Sequence, residues 1–200
     1  SPQPEEPKPS AADVPEEAPR TASAPRRTKT SSGRRLNAPR SGDGYFPGVA
    51  MKLESSAFEP HGKIPAVYTC DGKNIHPPLT VSGVPSGTYH VALIMHDPDA
   101  VSGDFVHWVV WGIRPATTGI TIDEGNLPPE VHEGWTDFGT VGYGGPCPPS
   151  GTHRYHFRAY ALEGMFRFDD TPTRAELDAA MKEHILDQAL LIGLYERPRR

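Results

Sequence analysis

YHVALIMHDPDA, residues 89–100, runs an almost unbroken apolar segment into two carboxylates that flank a proline. Its content of Val, Ile and Tyr reads as a β-strand, and the Asp-Pro-Asp that follows ends it. In a strand, alternate residues share a face, so Val91, Leu93, Met95 and Asp97 form one column. Asp97 therefore continues an apolar face to its polar end, where a carboxylate borders a core.

Similar short runs lie on both sides, separated by Gly, Pro and Asp. They are MKLESS at 51–56, VYT at 67–69, LTV at 79–81, VHWVVWGI at 106–113 and RYHFRAYAL at 154–162. Turn chemistry such as PSG at 85–87 stands between them. The spacing predicts a mainly β domain with antiparallel sheets in a sandwich-like or Greek-key arrangement, and leaves the strand order open. One helix is signalled near the end: Thr173 and Glu176 fit a capping box, and Leu177, Ala180, Met181 and Ile185 follow on one stripe. ALLIGLYE at 189–196 then reads as a closing strand buried on both faces, because its apolar run is too continuous for a wetted one. His184 is expected beside this packing without a chemical role.

The chain's 36% hydrophobic share is low, and the deficit is local. Residues 1–49 hold nine prolines, eight Lys/Arg and six Asp/Glu with no apolar periodicity, which predicts a disordered tail before a domain over 50–200. The tail's basic cluster, Arg26, Arg27, Lys29, Arg34 and Arg35, is read as a solvated linker rather than a lipid or nucleic-acid contact. Its net charge of +2 leaves −7 of the total −5 on the remainder, which argues against nucleic-acid binding by the folded part. No segment approaches the roughly 18 apolar residues of a membrane helix. The expected location is the cytoplasm, with export as the alternative if a leader preceded Ser1.

Candidate chemistry concentrates in DPDA at 97–100, FVHWVVWGI at 105–113 and GGPCPPSGTHRY at 144–155. Strand parity puts His107 with Val109 and Trp111, and points His153 and Tyr155 the same way with Arg154 opposite. The glycines and prolines at 144–149 are suited to hold backbone N–H groups in an anion nest. Each group also has a plain structural reading: His107 as packing, Asp97 and Asp99 as turn acids, the Gly-Pro stretch as surface loop. Two acids and two imidazoles superficially suit a hydrolase, yet no HExxH helix, GxSxG elbow or Walker loop is present. No catalytic residue, metal ligand or cofactor is therefore expected.

The chain resembles the phosphatidylethanolamine-binding protein family, in particular its bacterial and archaeal Raf-kinase-inhibitor-like branch. The resemblance spans residues 51–197 and rests on YTCDGKNIHPPL at 68–79, DPDA at 97–100, HWVVWGI at 107–113, TDFGTVGYGGPCPPSGTHRYHF at 136–157 and the final helix-strand segment. It implies a large antiparallel sheet, a smaller second sheet, a C-terminal helix with a closing strand, and a small pocket for phosphate-like groups. Asp97, His107, His153 and Tyr155 fall on the family's pocket positions, Asp99 on the second acid of its Asp-Pro-Asp motif, and Gly145 and Pro146 on its glycine-proline wall. Two departures are Val101, where a proline is usual, and His76, where a serine is frequent. Both are expected near the pocket mouth.

The implied function is noncatalytic binding of phosphate or a phosphoethanolamine-type lipid headgroup, with a kinase-inhibitor-like regulatory role. The alternatives are a protease inhibitor or protein-interaction module, with a protein kinase or protease as partner, and a hydrolase using the Asp/His pocket. Asp97 is expected to orient a histidine, so that lower pH favours binding. The resemblance also associates Cys70 and Cys147 with the pocket region, where a disulfide between them and a Cys147 nucleophile beside His153 are both open readings.

Overall fold

The computed structural model describes residues 50–116 and 119–198. The tail expected over residues 1–49 lies outside them. The described residues form β1 (Lys52–Glu54), β2 (Leu79–Ser82), β3 (His90–Asp97), β4 (Phe105–Ile113), β5 (Ile120–Ile122), β6 (His132–Glu133), β7 (His153–Leu162), α1 (Arg174–Met181) and β8 (Ile185–Tyr195). The strands make a large sheet in the order β6-β4-β3-β7-β8 and a small one in the order β1-β2-β5. Every pairing within the sheets is antiparallel.

β3 occupies the middle of the large sheet and is buried along its whole length. Val91, Leu93 and Met95 join Leu79, Val81 and Ile122 of the small sheet in one core. Ala92 and Ile94 pack on the other face with Leu177 and Met181 of α1. A strand covered on both faces favours apolar residues at successive positions, which accounts for the unbroken run at 91–95. Each large side chain so buried stabilises the fold by about 1.5–3 kcal/mol. The capping box forms as expected, with Thr173 accepting from the Glu176 N–H and the Glu176 carboxylate accepting from the Thr173 N–H.

Four local expectations are corrected. VYT at 67–69 is not extended: Ala66–Tyr68 form a 3-10 turn closed by Tyr68 and Thr69 N–H groups on the Pro65 and Ala66 carbonyls. Ile185 is not on the helical stripe, because α1 ends at Met181 and Ile185 opens β8 with its side chain exposed. β8 is not buried on both faces. It is the edge strand, and Leu190 stays wet between buried Ala189 and Leu191, since α1 does not cover that end of the sheet.

The fourth correction bears on the site. β4 carries two bulges against β3. At one, His107 is the extra residue between the pairs Met95↔Trp108 and His96↔Val106. Inserting one residue reverses the alternation. Val109 and Trp111 face the helix, whereas His107 turns to the same side as Trp108 and Val110.

Candidate functional site

The end of β3, the bulge in β4 and the start of β7 converge, bringing Asp97, His107, His153 and Tyr155 around one cavity of about 370 Å³. Exposures of 3%, 3%, 7% and 0% place all four side chains at its buried end. Phe105, Phe138, Val101, Cys147, Pro148 and Pro149 complete the wall, with Val101, 90% exposed, at the rim as expected.

Asp97 is fully committed. Its Oδ2 accepts from His153 Nδ1 at 2.7 Å, and its Oδ1 accepts from the Asp99 N–H at 2.9 Å. The carboxylate thus fixes the His153 ring and folds the DPDA turn at once. Asp99 turns away from the cavity. It takes the Arg154 guanidinium through Nε at 2.9 Å and an Nη at 2.6 Å, and the Arg154 backbone N–H at 2.9 Å. Those bonds hold the Asp99 carboxyl well below the usual carboxylate range and tie the turn to the start of β7. The nearby arginine charge is thereby neutralised outside the pocket.

His107 Nδ1 lies 2.7 Å from the Gly144 carbonyl, which can only accept, so Nδ1 carries the proton. Burial pushes the imidazole below its ordinary pKa, against the opposing pull of the Gly144 carbonyl and Asp97. The neutral ring then presents Nε2 as a bare acceptor. The rings of Phe105, Phe138 and Tyr155 stand edge-on around it, each 5.2 Å away. The Tyr155 hydroxyl is buried with no hydrogen bond of ordinary geometry, and burial together with the Asp97 charge keeps it protonated as a donor.

The expected backbone nest does not form. The Gly145 N–H donates to Asn74 Oδ1 at 2.8 Å and the Gly144 N–H to the His107 carbonyl at 2.9 Å, so neither amide is left for a ligand. Gly145 and Pro146 lie behind the wall, where the Pro146 carbonyl accepts from the Cys70 N–H. A Cβ at Gly145 would collide with the Tyr68 carbonyl and Asn74, and one at Gly144 with the Phe138 ring. Cys70 and Cys147 are joined by a disulfide, which removes the thiolate that a Cys147 nucleophile needs. His76 is not at the mouth. It is buried, stacked on Trp108 at 4.8 Å, with its pKa lowered by desolvation.

Sequence reasoning missed Phe105, Phe138 and Asn74. Neither phenylalanine carries a charge or periodicity that marks a site, although Phe138 lies within the TDFG of the quoted motif. Asn74 has φ 58°, a conformation asparagine tolerates better than most residues. Among the described residues no group of three or more His, Cys, Asp or Glu is arranged to hold a metal ion, and no helix is long and apolar enough to cross a membrane.

The sequence model of phosphatidylethanolamine-binding proteins matches residues 54–196. The chain belongs to that family. A UPF0098 protein of Methanothermobacter thermautotrophicus is 47% identical over 150 residues, covering 74% of this chain and 99% of the relative. The phosphatidylethanolamine-binding protein homologue of Chlamydia trachomatis superposes with a TM-score of 0.70 at 37% identity, over 74% of this chain and 99% of its own. Escherichia coli YbcL, a member of the mammalian family, does so at 0.69 and 28%, over 75% of this chain and all of its own length, 100%. In this family member the large and small antiparallel sheets, the C-terminal helix and the closing strand are all present.

Proposed function

We propose that this family member is a noncatalytic binding protein whose pocket takes a phosphate-type group, free or as a phosphoethanolamine-type headgroup. The observation that carries the reading is the convergence of the buried Tyr155 hydroxyl, His107 and the Asp97–His153 pair at the closed end of one cavity. Tyr155 donates to one ligand oxygen and His153, held by Asp97, to a second through Nε2 when protonated. His107 Nε2 either accepts the proton of a monohydrogen phosphate group or takes a proton and donates. A protonated His153 already brings one proton more than a neutral pocket does, and a proton taken up by His107 is a second. Affinity therefore rises as pH falls from about 8 to about 6.

A cavity of about 370 Å³ exceeds what one phosphate fills, and the Phe105, Phe138 and Val101 wall suits the remainder of an esterified ligand. Catalysis lacks a nucleophile at the Asp97–His153 pair, since the adjacent cysteine is in a disulfide. That disulfide favours the exported alternative over a cytoplasmic location, because structural disulfides persist chiefly in oxidising compartments.

The test is an NMR titration of the histidine side chains with phosphate and phosphoethanolamine, on the parent protein and on His153→Ala. Saturable shifts at His107 and His153 that vanish in the variant are expected. Their absence would overturn the small-anion reading and move the weight to a protein partner, of the kinase-inhibitor or protease-inhibitor kind.

A further inference from the structure

The second bulge of β4 lies at its other end, between the pairs Leu93↔Val110 and Val91↔Ile113, where Gly112 takes φ 86°. Trp111, on the helix face with Val109, lines a separate cavity of about 230 Å³ beside this bulge. The bulge turns Ile113 into the core with Val110, and Gly112 keeps the cavity floor open, since a Cβ there would press on His132 and the Glu130 carbonyl. The cavity shares Trp111, His132, Phe166 and Arg167 with an outer groove of about 560 Å³.

Three features mark the inner cavity as a binding site. Its walls are aromatic: Trp111 is stacked on His132 with ring centroids 5.4 Å apart, and Phe166 packs edge-on to His90 at 5.1 Å. Its buried lining includes His90, only 3% exposed, whose Nε2 makes no hydrogen bond. The ring is packed behind the aromatic wall, against Phe166 and close to the Gly164 backbone. Its charge is carried by Arg114 and Arg167 against the single carboxylate of Glu130. Arg114 lies 4.0 Å over the Tyr89 ring and donates to the Tyr89 hydroxyl at 2.9 Å, so it is held in place without its charge being cancelled. Asp169 and Asp170 line only the outer groove, which confines the positive potential to the inner end.

We propose that this cavity is a second small-molecule site, distinct from the Asp97–His153 pocket, for a flat aromatic carboxylate. The ring lies against Trp111 and Phe166, and the carboxylate meets Arg114 and Arg167. Burial lowers the His90 pKa, so the imidazole behind the wall does not add a third cation to Arg114 and Arg167. An aromatic face supplies stacking, and arginine supplies planar carboxylate recognition.

The test is a titration of the full chain with 4-hydroxybenzoate, followed by Trp111 indole and His90 ring NMR signals. Its controls are benzoate, methyl 4-hydroxybenzoate and cyclohexanecarboxylate. Saturable shifts at both residues are expected, about tenfold weaker without the carboxylate and in Arg167→Ala, whose exposed side chain leaves the fold intact. Phosphate added first leaves these shifts unchanged, which separates this site from the anion pocket. Three results would overturn the proposal: no saturable shift, equal binding of cyclohexanecarboxylate, or full affinity retained in Arg167→Ala.

Discussion

Asp97 Oδ2 and His153 Nδ1 lie 2.7 Å apart at the adjoining ends of β3 and β7, and both side chains are nearly buried. The second Asp97 oxygen is taken by the Asp99 N–H, so the carboxylate serves to hold two pieces of backbone and one imidazole. Asp97→Asn preserves the shape and removes the charge. A stability loss of about 1–3 kcal/mol is expected, with phosphate affinity reduced about tenfold as the His153 ring loses its fixed proton position. Thermal unfolding and the histidine titration measure the two effects separately, and an affinity equal to the parent's would show that Asp97 does not set the ring.

Gly144 and Gly145 are neighbours with unequal tolerance for a side chain. A Cβ at Gly144 meets the flexible, half-exposed Phe138 ring, whereas one at Gly145 meets the Tyr68 backbone and Asn74. Gly144→Ala should cost about 1 kcal/mol while displacing Phe138 from beside His107, and Gly145→Ala about 3 kcal/mol. Equal denaturation midpoints for the two variants would contradict this assignment of the wall.

The Cys70–Cys147 disulfide closes a separation of 77 residues and pins the Pro-rich wall to the turn after Tyr68. Removing it by Cys147→Ser or reduction should lower stability by about 2–5 kcal/mol. Mass measured before and after alkylation, with and without prior reduction, reports the bridge directly; two thiols alkylated without reductant would refute it.

Four buried histidines, His76, His90, His96 and His107, have their pKa values lowered first by desolvation. The unfolded chain binds their protons at pH 6.5 and below more readily than the folded one. Stability is therefore full above that value and declines as pH falls, at up to about 1.4 kcal/mol per pH unit for each group. Asp99, held low by Arg154, adds to the loss only as pH falls below the ordinary carboxylate value of 3.8. Urea midpoints at pH 7.5 and 5.0 compare the two regimes, and the idea fails if they coincide.

Local sequence was sufficient wherever one segment's own pattern decides its state. The continuous run of β3, the Thr173–Glu176 capping box and the motifs of the phosphatidylethanolamine-binding family were all legible, since each depends on residues close in the chain. The parity of His153 and Tyr155 at the start of β7 was likewise readable, because β7 pairs there with β8, His153 to Tyr195 and Tyr155 to Gly193, without a bulge.

Tertiary structure decided what depends on partners far along the chain. Register against β3 inserts His107 as an extra residue and takes it from the Val109–Trp111 face, and no local signal in FVHWVVWGI marks that insertion. Asn74 claims the Gly145 N–H across 71 positions, turning an expected anion nest into a buttress. His76 disappears under Trp108 instead of reaching the mouth, and β8 stays wet at Leu190 because none of the described residues covers it there. Periodicity describes what a segment is able to bury, whereas only packing determines which neighbour covers it and which hydrogen bonds remain for a ligand.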